Sequence, residues 1–193
     1  MTLLLVLLAG MAAQADSADS LYKFKVGTTW TLLATAAPEK GPKVEKIEFK
    51  VVKSEAGVTE VESRTKSGGE EEAKVETLRW SVVEDILTWS EIHDGKPKDS
   101  MKLYKLGSKK GDSWEWTEDG HSAKGKNLGR EEVKVAAGTY PETLHVRCEL
   151  SEGNMTFGLD FWLAPGVGPV KFSVSAGELG TMALELKEFK PGK

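Results

Sequence analysis

Polar and apolar residues alternate along most of this chain with a period of two. In "TLHVRCEL", Leu144, Val146, Cys148 and Leu150 point one way, and His145, Arg147 and Glu149 point the other. In "MTFGLDFWL", Met155, Phe157, Leu159, Phe161 and Leu163 share a face. "PVKFSVSA" sets Val170, Phe172 and Val174 against Lys171, Ser173 and Ser175, and "IEFKV" sets Ile47, Phe49 and Val51 against Glu48 and Lys50. Such alternation predicts half-buried strands of an antiparallel sheet. Glycine-bearing turns punctuate it at short intervals: "SEAG", "KSGGE", "HDGK", "EDGH", "AAGTYP", "SEGN" and "SAGELG". The pattern predicts an all-β meander of hairpins with about ten strands. A sheet of that many twisted strands curls or splits, so a curved sheet, half-barrel or two-layer sandwich is expected.

One segment admits two readings. From Val75 to Trp89, the residues Val75, Leu78, Val82, Ile86 and Trp89 recur at helical spacing. Against a helix stand the β-branched pair Val82-Val83 and the Trp and Thr content. "VEDIL" also offers a hairpin turn at Glu84-Asp85, and two strands are the preferred expectation.

"FWLAPGVGPVKF", Phe161 to Phe172, joins two inward faces: Phe161 and Leu163 before it, Val170 and Phe172 after it. Pro165-Gly166 suits the central positions of a type II turn, where proline presets φ and glycine supplies φ > 0. Gly168-Pro169 then opens the return strand, where a missing N–H donor is tolerated. A phosphate-cradling loop needs a helix N-terminus or a Lys/Ser pair next to it, and neither follows. The stretch is therefore read as a hairpin.

The N-terminus departs from the alternation. "MTLLLVLLAGMAAQADS" has an apolar run, Leu3 to Leu8, then the A-x-A site Ala13-Gln14-Ala15. This predicts a secretory signal over 1–15 and a single exported β-domain over 16–193, periplasmic or extracellular. The run is too short for a bilayer-spanning anchor, so no transmembrane segment is expected after removal of the signal. A buried N-terminal helix is the structural alternative to this reading. Net charge is −4, from 26 basic and 30 acidic residues mixed along the chain. A phosphate-tracking face needs clustered Lys/Arg, so no nucleic-acid partner is expected. A single cysteine, Cys148, leaves no intramolecular disulfide, and the core must hold the fold alone.

"GDSWEW" (111–116), "VKVAAGTYPETLHVRC" (133–148) and the APGVG hairpin occur in that order. Together they resemble a group of bacterial exported domains of unknown function. There a G-x-x-W-x-W strand precedes a V-x-V-x-A-G-T-[FY] segment and a W-x-APGVG-x-V-K hairpin. The resemblance spans most of the chain after the signal. It implies an envelope β-domain similar in shape to the curved half-barrel of lipoprotein carriers, and it brings no catalytic residues. The carriers' helical lid has no counterpart in this sequence. Pro169 stands where the group more often has an aliphatic residue, a departure that touches the turn and no site.

Chemistry-bearing sets are scarce. His145 and Cys148 form an H-x-x-C pair, yet residues three apart on a strand face opposite ways, so no metal site is read there. Cys148 fits better as a small apolar core residue. "DGHS", Asp119 to Ser122, holds triad residue types, but triads converge from separate elements and a loop explains it. No catalytic residue, metal or cofactor is expected. The six tryptophans carry more information. Trp114 and Trp116 share one strand face; Trp162 lies opposite the Phe161/Leu163 face, beside Asp160. Such rings are either core or an exposed platform for a ligand, and Trp is usually mostly buried. The candidate ligand-binding residues are thus Trp114, Trp116 and Trp162.

The expected function is an exported cell-envelope binding module, not an enzyme. It would hold an apolar small molecule or an envelope protein on a curved sheet. Two other readings stand beside it: an interaction scaffold with a filled interior, and an envelope-polymer hydrolase using a carboxylate pair.

Overall fold

The computed structural model describes residues 18–38, 43–118, 121–152, 155–177 and 180–193. The signal and its cleavage site lie outside them, as does Asp119-Gly120 of the "DGHS" stretch. Among the described residues twelve strands run in chain order: β1 Thr29–Ala36, β2 Val44–Glu55, β3 Val58–Ser67, β4 Lys74–Val83, β5 Ile86–His93, β6 Lys96–Lys105, β7 Ser113–Glu118, β8 His121–Val135, β9 Gly138–Glu152, β10 Met155–Ala164, β11 Gly168–Ser175 and β12 Thr181–Lys190. All join one antiparallel sheet ordered β6-β5-β4-β3-β2-β1-β12-β11-β10-β9-β8-β7. The all-β meander is as expected, with twelve strands in place of about ten. Among the described residues no helix is long and apolar enough to cross a membrane.

The segment with two readings is two strands. Trp80 faces Trp89 and Val83 faces Ile86 across a two-residue turn, in which Glu84 and Asp85 have φ of 51° and 60°. Two left-handed residues make the turn whose twist matches the strands it joins. Ala56-Gly57 and Asp94-Gly95 turn their hairpins with the same pair of signs.

The order of strands implies that β1 and β12, the two ends of the domain, pair in the middle of the sheet, while β6 and β7 are its edges. Twist then curls the sheet until its inner face closes on itself, giving a nearly closed barrel. A row of rings runs along one wall and crosses the interior to the other. Trp80 of β4 stacks on Trp89 of β5 at 4.8 Å and lies 5.6 Å from Trp30 of β1. Trp89 meets the edge of Phe161 at 5.3 Å, although β5 and β10 are far apart in strand order. Around these rings Leu32, Val51, Val61, Leu103, Val146, Cys148, Leu184 and Leu186 are wholly buried.

At the seam between β6 and β7 a side chain replaces the missing ladder. The Trp114 indole N–H of β7 donates to the Lys102 carbonyl of β6 at 2.8 Å. Its ring lies across Gly125 of β8, directly opposite in register, where a Cβ would overlap the indole. β6 guards its own free edge with Lys96, Pro97 and Lys98 and an irregular register opposite Trp89–Glu91.

Gly125→Ala should therefore push Trp114 out of the seam and cost about 3 kcal/mol. Chemical denaturation read by far-UV circular dichroism measures the loss; a stability within about 0.5 kcal/mol of the parent would mean that the indole does not close the seam.

Candidate functional site

Among the described residues, side chains able to recognise or react gather first at the mouth, at the seam and on the outer face of the barrel. The first place is the mouth, at the end where the β2–β3, β4–β5 and β10–β11 turns lie. The APGVG hairpin forms here as read from sequence: Val167 N–H donates to the Ala164 carbonyl at 3.1 Å, and Gly166 has φ of 72°. With Pro165 before it, this is the geometry of a type II turn. Gly168 and Pro169 open β11 and are buried.

What the hairpin receives was not legible beforehand. A 3-10 turn, Ala18–Leu21, and the extended residues after it cross the mouth and insert Leu21, Tyr22 and Phe24, none more than 7% exposed. The strap is held on both sides. Gly166 N–H donates to the Ser20 carbonyl at 2.8 Å, and the Thr59 hydroxyl of β3 donates to the Tyr22 carbonyl at 2.9 Å. The Phe24 ring stands edge-on to Trp30 at 4.9 Å and to Trp80 at 6.1 Å. The Trp30 indole in turn donates to the Val167 carbonyl, tying turn, strap and core together.

The second place is the seam. Trp114 and Trp116, two of the expected ligand-binding residues, face inward and are 6% and 8% exposed. Tyr104 of β6 packs edge-on against Trp114 at 6.3 Å. Cys148 sits beneath them, wholly buried, with its sulfur 3.8 Å from the Leu103 carbonyl. Burial, with a smaller contribution from the Asp160 carboxylate, pushes its thiol from near 9.0 up to about 12.

The third place is outside, on β8 to β12, and holds Trp162, the remaining expected residue. His145 stacks on its indole at 4.2 Å, and the Lys171 ammonium stands 5.3 Å from the ring centre. The Trp162 indole N–H donates to Glu131 at 2.6 Å. His145 lies between two carboxylates, with Nε2 2.9 Å from Asp160 and Nδ1 3.3 Å from Glu131. Arg147 reaches Asp160 at 3.6 Å, and Lys171 reaches Glu185 at 2.9 Å. A ligand stacking on Trp162 meets a ring already covered by imidazole, while within the network the buried Arg147 Nε is left without a hydrogen-bond partner. His145 and Cys148 point to opposite faces of β9, as the strand period requires.

Glu91, His93 and Asp99 also gather near the β5–β6 hairpin, with potential ligand atoms within 4.8 Å of one another. The imidazole is 3.0 Å from Glu91 and more than half exposed. A surface depression of about 440 Å³ along β7, β8 and β9 is lined by Glu115, Thr117, Ser122, Lys124, Glu149 and Ser151 together with Trp116 and Ala123, so one of the expected ligand-binding residues borders it.

No family model matches the sequence, and no curated protein sequence matches it. The fold does have solved counterparts. A "putative lipoprotein" from Parabacteroides distasonis superposes with a TM-score of 0.51 at 13% identity, covering 88% of this chain and 98% of that one. A "putative exported protein with YmcC-like fold" from Bacteroides fragilis gives 0.49 at 12% identity over the same shares. At such identity the first likeness concerns the fold, and the second, with its lower score, adds no argument. Membership of the exported group read from the APGVG hairpin is not established by either.

Cys148 should react with a thiol reagent at pH 8 only as fast as the barrel unfolds. Because the folded thiol keeps its proton to about pH 12 and the unfolded one releases it near 9.0, the folded chain binds more protons in that window. The contribution of this group to stability is therefore complete below pH 9 and falls as pH rises. Labelling in native buffer at the rate of a free thiol would contradict the burial.

Proposed function

We propose that the chain is an exported cell-envelope binding module that engages an envelope protein through its surface, with an interior taken up by its own side chains. The observation that carries this reading is the row of rings inside the barrel. Phe24, Trp30, Trp80, Trp89 and Phe161 follow one another at 4.8–5.6 Å. An apolar guest in the concavity would have to displace rings already packed edge-to-face or stacked, and would lose the contacts it replaced. Interiors of this kind serve as frames, and function then sits on the turns and faces they hold. Trp114 and Trp116 belong to the closing of that frame, and Trp162 to the network on its outer face.

Export is supported by the sequence of residues 1–15 and agrees with the name carried by the structural counterpart from Parabacteroides. The hydrolase reading gains no support from the outer carboxylates, since Glu131 and Asp160 are spent on His145, Arg147 and Trp162.

Expression of the full sequence in a bacterial host tests both parts. The protein should leave the cytoplasm with Asp16 as its first residue, and deletion of 1–15 should retain it inside. An organic-solvent extract of the purified protein, analysed by mass spectrometry, should carry no stoichiometric lipid. One lipid per chain would return the apolar guest to the interior and overturn the filled-frame reading.

A further inference from the structure

The strap across the mouth has the form of a bound peptide. Its residues Ser20–Lys25 add no strand to the sheet; they run from the end of the 3-10 turn, which includes Ser20 and Leu21, through irregular backbone to the turn at Val26-Gly27. Their backbone carbonyls are nevertheless received by fixed donors on two sides, the Gly166 N–H for Ser20 and the Thr59 hydroxyl for Tyr22. Their side chains divide as those of an extended ligand do in a groove. Leu21, Tyr22 and Phe24 go in; Lys23 and Lys25 stay exposed. The pocket that takes Phe24 is built for a ring. Trp30 and Trp80 meet the Phe24 ring in T-shaped contacts, and Gly168 makes room for it, since a Cβ there would come 2.9 Å from the ring.

We propose that this mouth is a peptide-binding site, held closed by the chain's own N-terminal strap, for an extended segment of a partner protein with the apolar–aromatic–x–aromatic pattern of Leu21–Phe24. The proposal rests on the reading of the chain as a protein-binding module and names the partner's chemistry. Backbone carbonyls would give the partner its affinity and the ring pocket its specificity, the division used wherever extended peptides dock on a fixed frame. The strap is joined to the barrel by buried side chains and two isolated backbone contacts and by no ladder bonds, so it can leave without breaking a strand pairing. It also fits imperfectly: the Ser20 hydroxyl is buried without a partner, so a ligand lacking that group loses nothing there. As a tethered competitor the strap acts at high effective concentration, which lowers the apparent affinity of any peptide added from outside.

The test uses the full chain and a fluorescently labelled synthetic peptide of residues 18–27, ADSLYKFKVG, followed by anisotropy. Phe24→Ala loosens the strap without altering the wall of the pocket. It should bind the peptide saturably and at least about 10-fold more tightly than the unaltered chain does. The same peptide with alanine in place of its phenylalanine should bind at least about 10-fold more weakly. Circular dichroism establishes that Phe24→Ala is folded; if it is not, Phe24→Leu keeps most of the core volume and takes its place. A folded variant that shows no saturable binding, or binds both peptides equally, overturns the proposal. The solvent-extract result is independent of this one. A chain with an empty extract that fails the titration loses the mouth site and keeps the surface-binding reading.

Discussion

The barrel depends on a row of ring contacts that reaches beyond paired strands to join walls the ladder does not connect. A twelve-stranded open sheet has two free edges, and its ladder bonds hold only neighbours. What fixes the curl is Trp89 of β5 against Phe161 of β10, with Trp80 and Trp30 continuing the row to the other wall. Large rings suit this task. Each spans the space that several aliphatic side chains would fill, and edge-to-face geometry holds the walls at a set separation. Once the curl is set, β6 comes close enough to β7 for one indole N–H to bridge the seam. The same row shapes the mouth, since Trp30 and Trp80 are also the rings that Phe24 meets.

How much of this was legible in the sequence follows from where each signal resides. Strand faces were readable because a half-buried strand writes its burial into every second residue; Leu144, Val146 and Cys148 are inside as their phase requires. The hairpin at Glu84-Asp85 was readable as an alternative to a helix, because Val82-Val83 and the flanking Trp and Thr disfavour helix locally. The strand count fell short of twelve where alternation is weak. β6, "KPKDSMKLYK", has a proline, an irregular register and four lysines, the devices of a protected edge, and they erase the pattern that marks a strand.

The site was less legible, for a different reason. That Trp114 and Trp116 share a face is local information. That this face is roofed by Tyr104 and the β6 backbone is not, because β6 arrives through closure of the whole sheet. Trp162 was correctly set opposite Phe161, but its covering by His145 depends on the register of β9 against β10, which pairs Trp162 with His145. The strap gave the least warning. "SLYKF" is too short to show a period, and its burial is decided by the mouth it crosses. Gly168, recognised as a turn residue, proved also to be the space for the Phe24 ring.

The central claim, that ring contacts across the interior hold the curl, is tested most directly by a double-mutant cycle on Trp89 and Phe161. Trp89→Ala, Phe161→Ala and the double variant are compared by urea denaturation. The account predicts that the two losses are not additive, with a coupling of about 1 kcal/mol in favour of the pair. Additivity within about 0.3 kcal/mol would mean that the two walls do not support each other through these rings, and would contradict it.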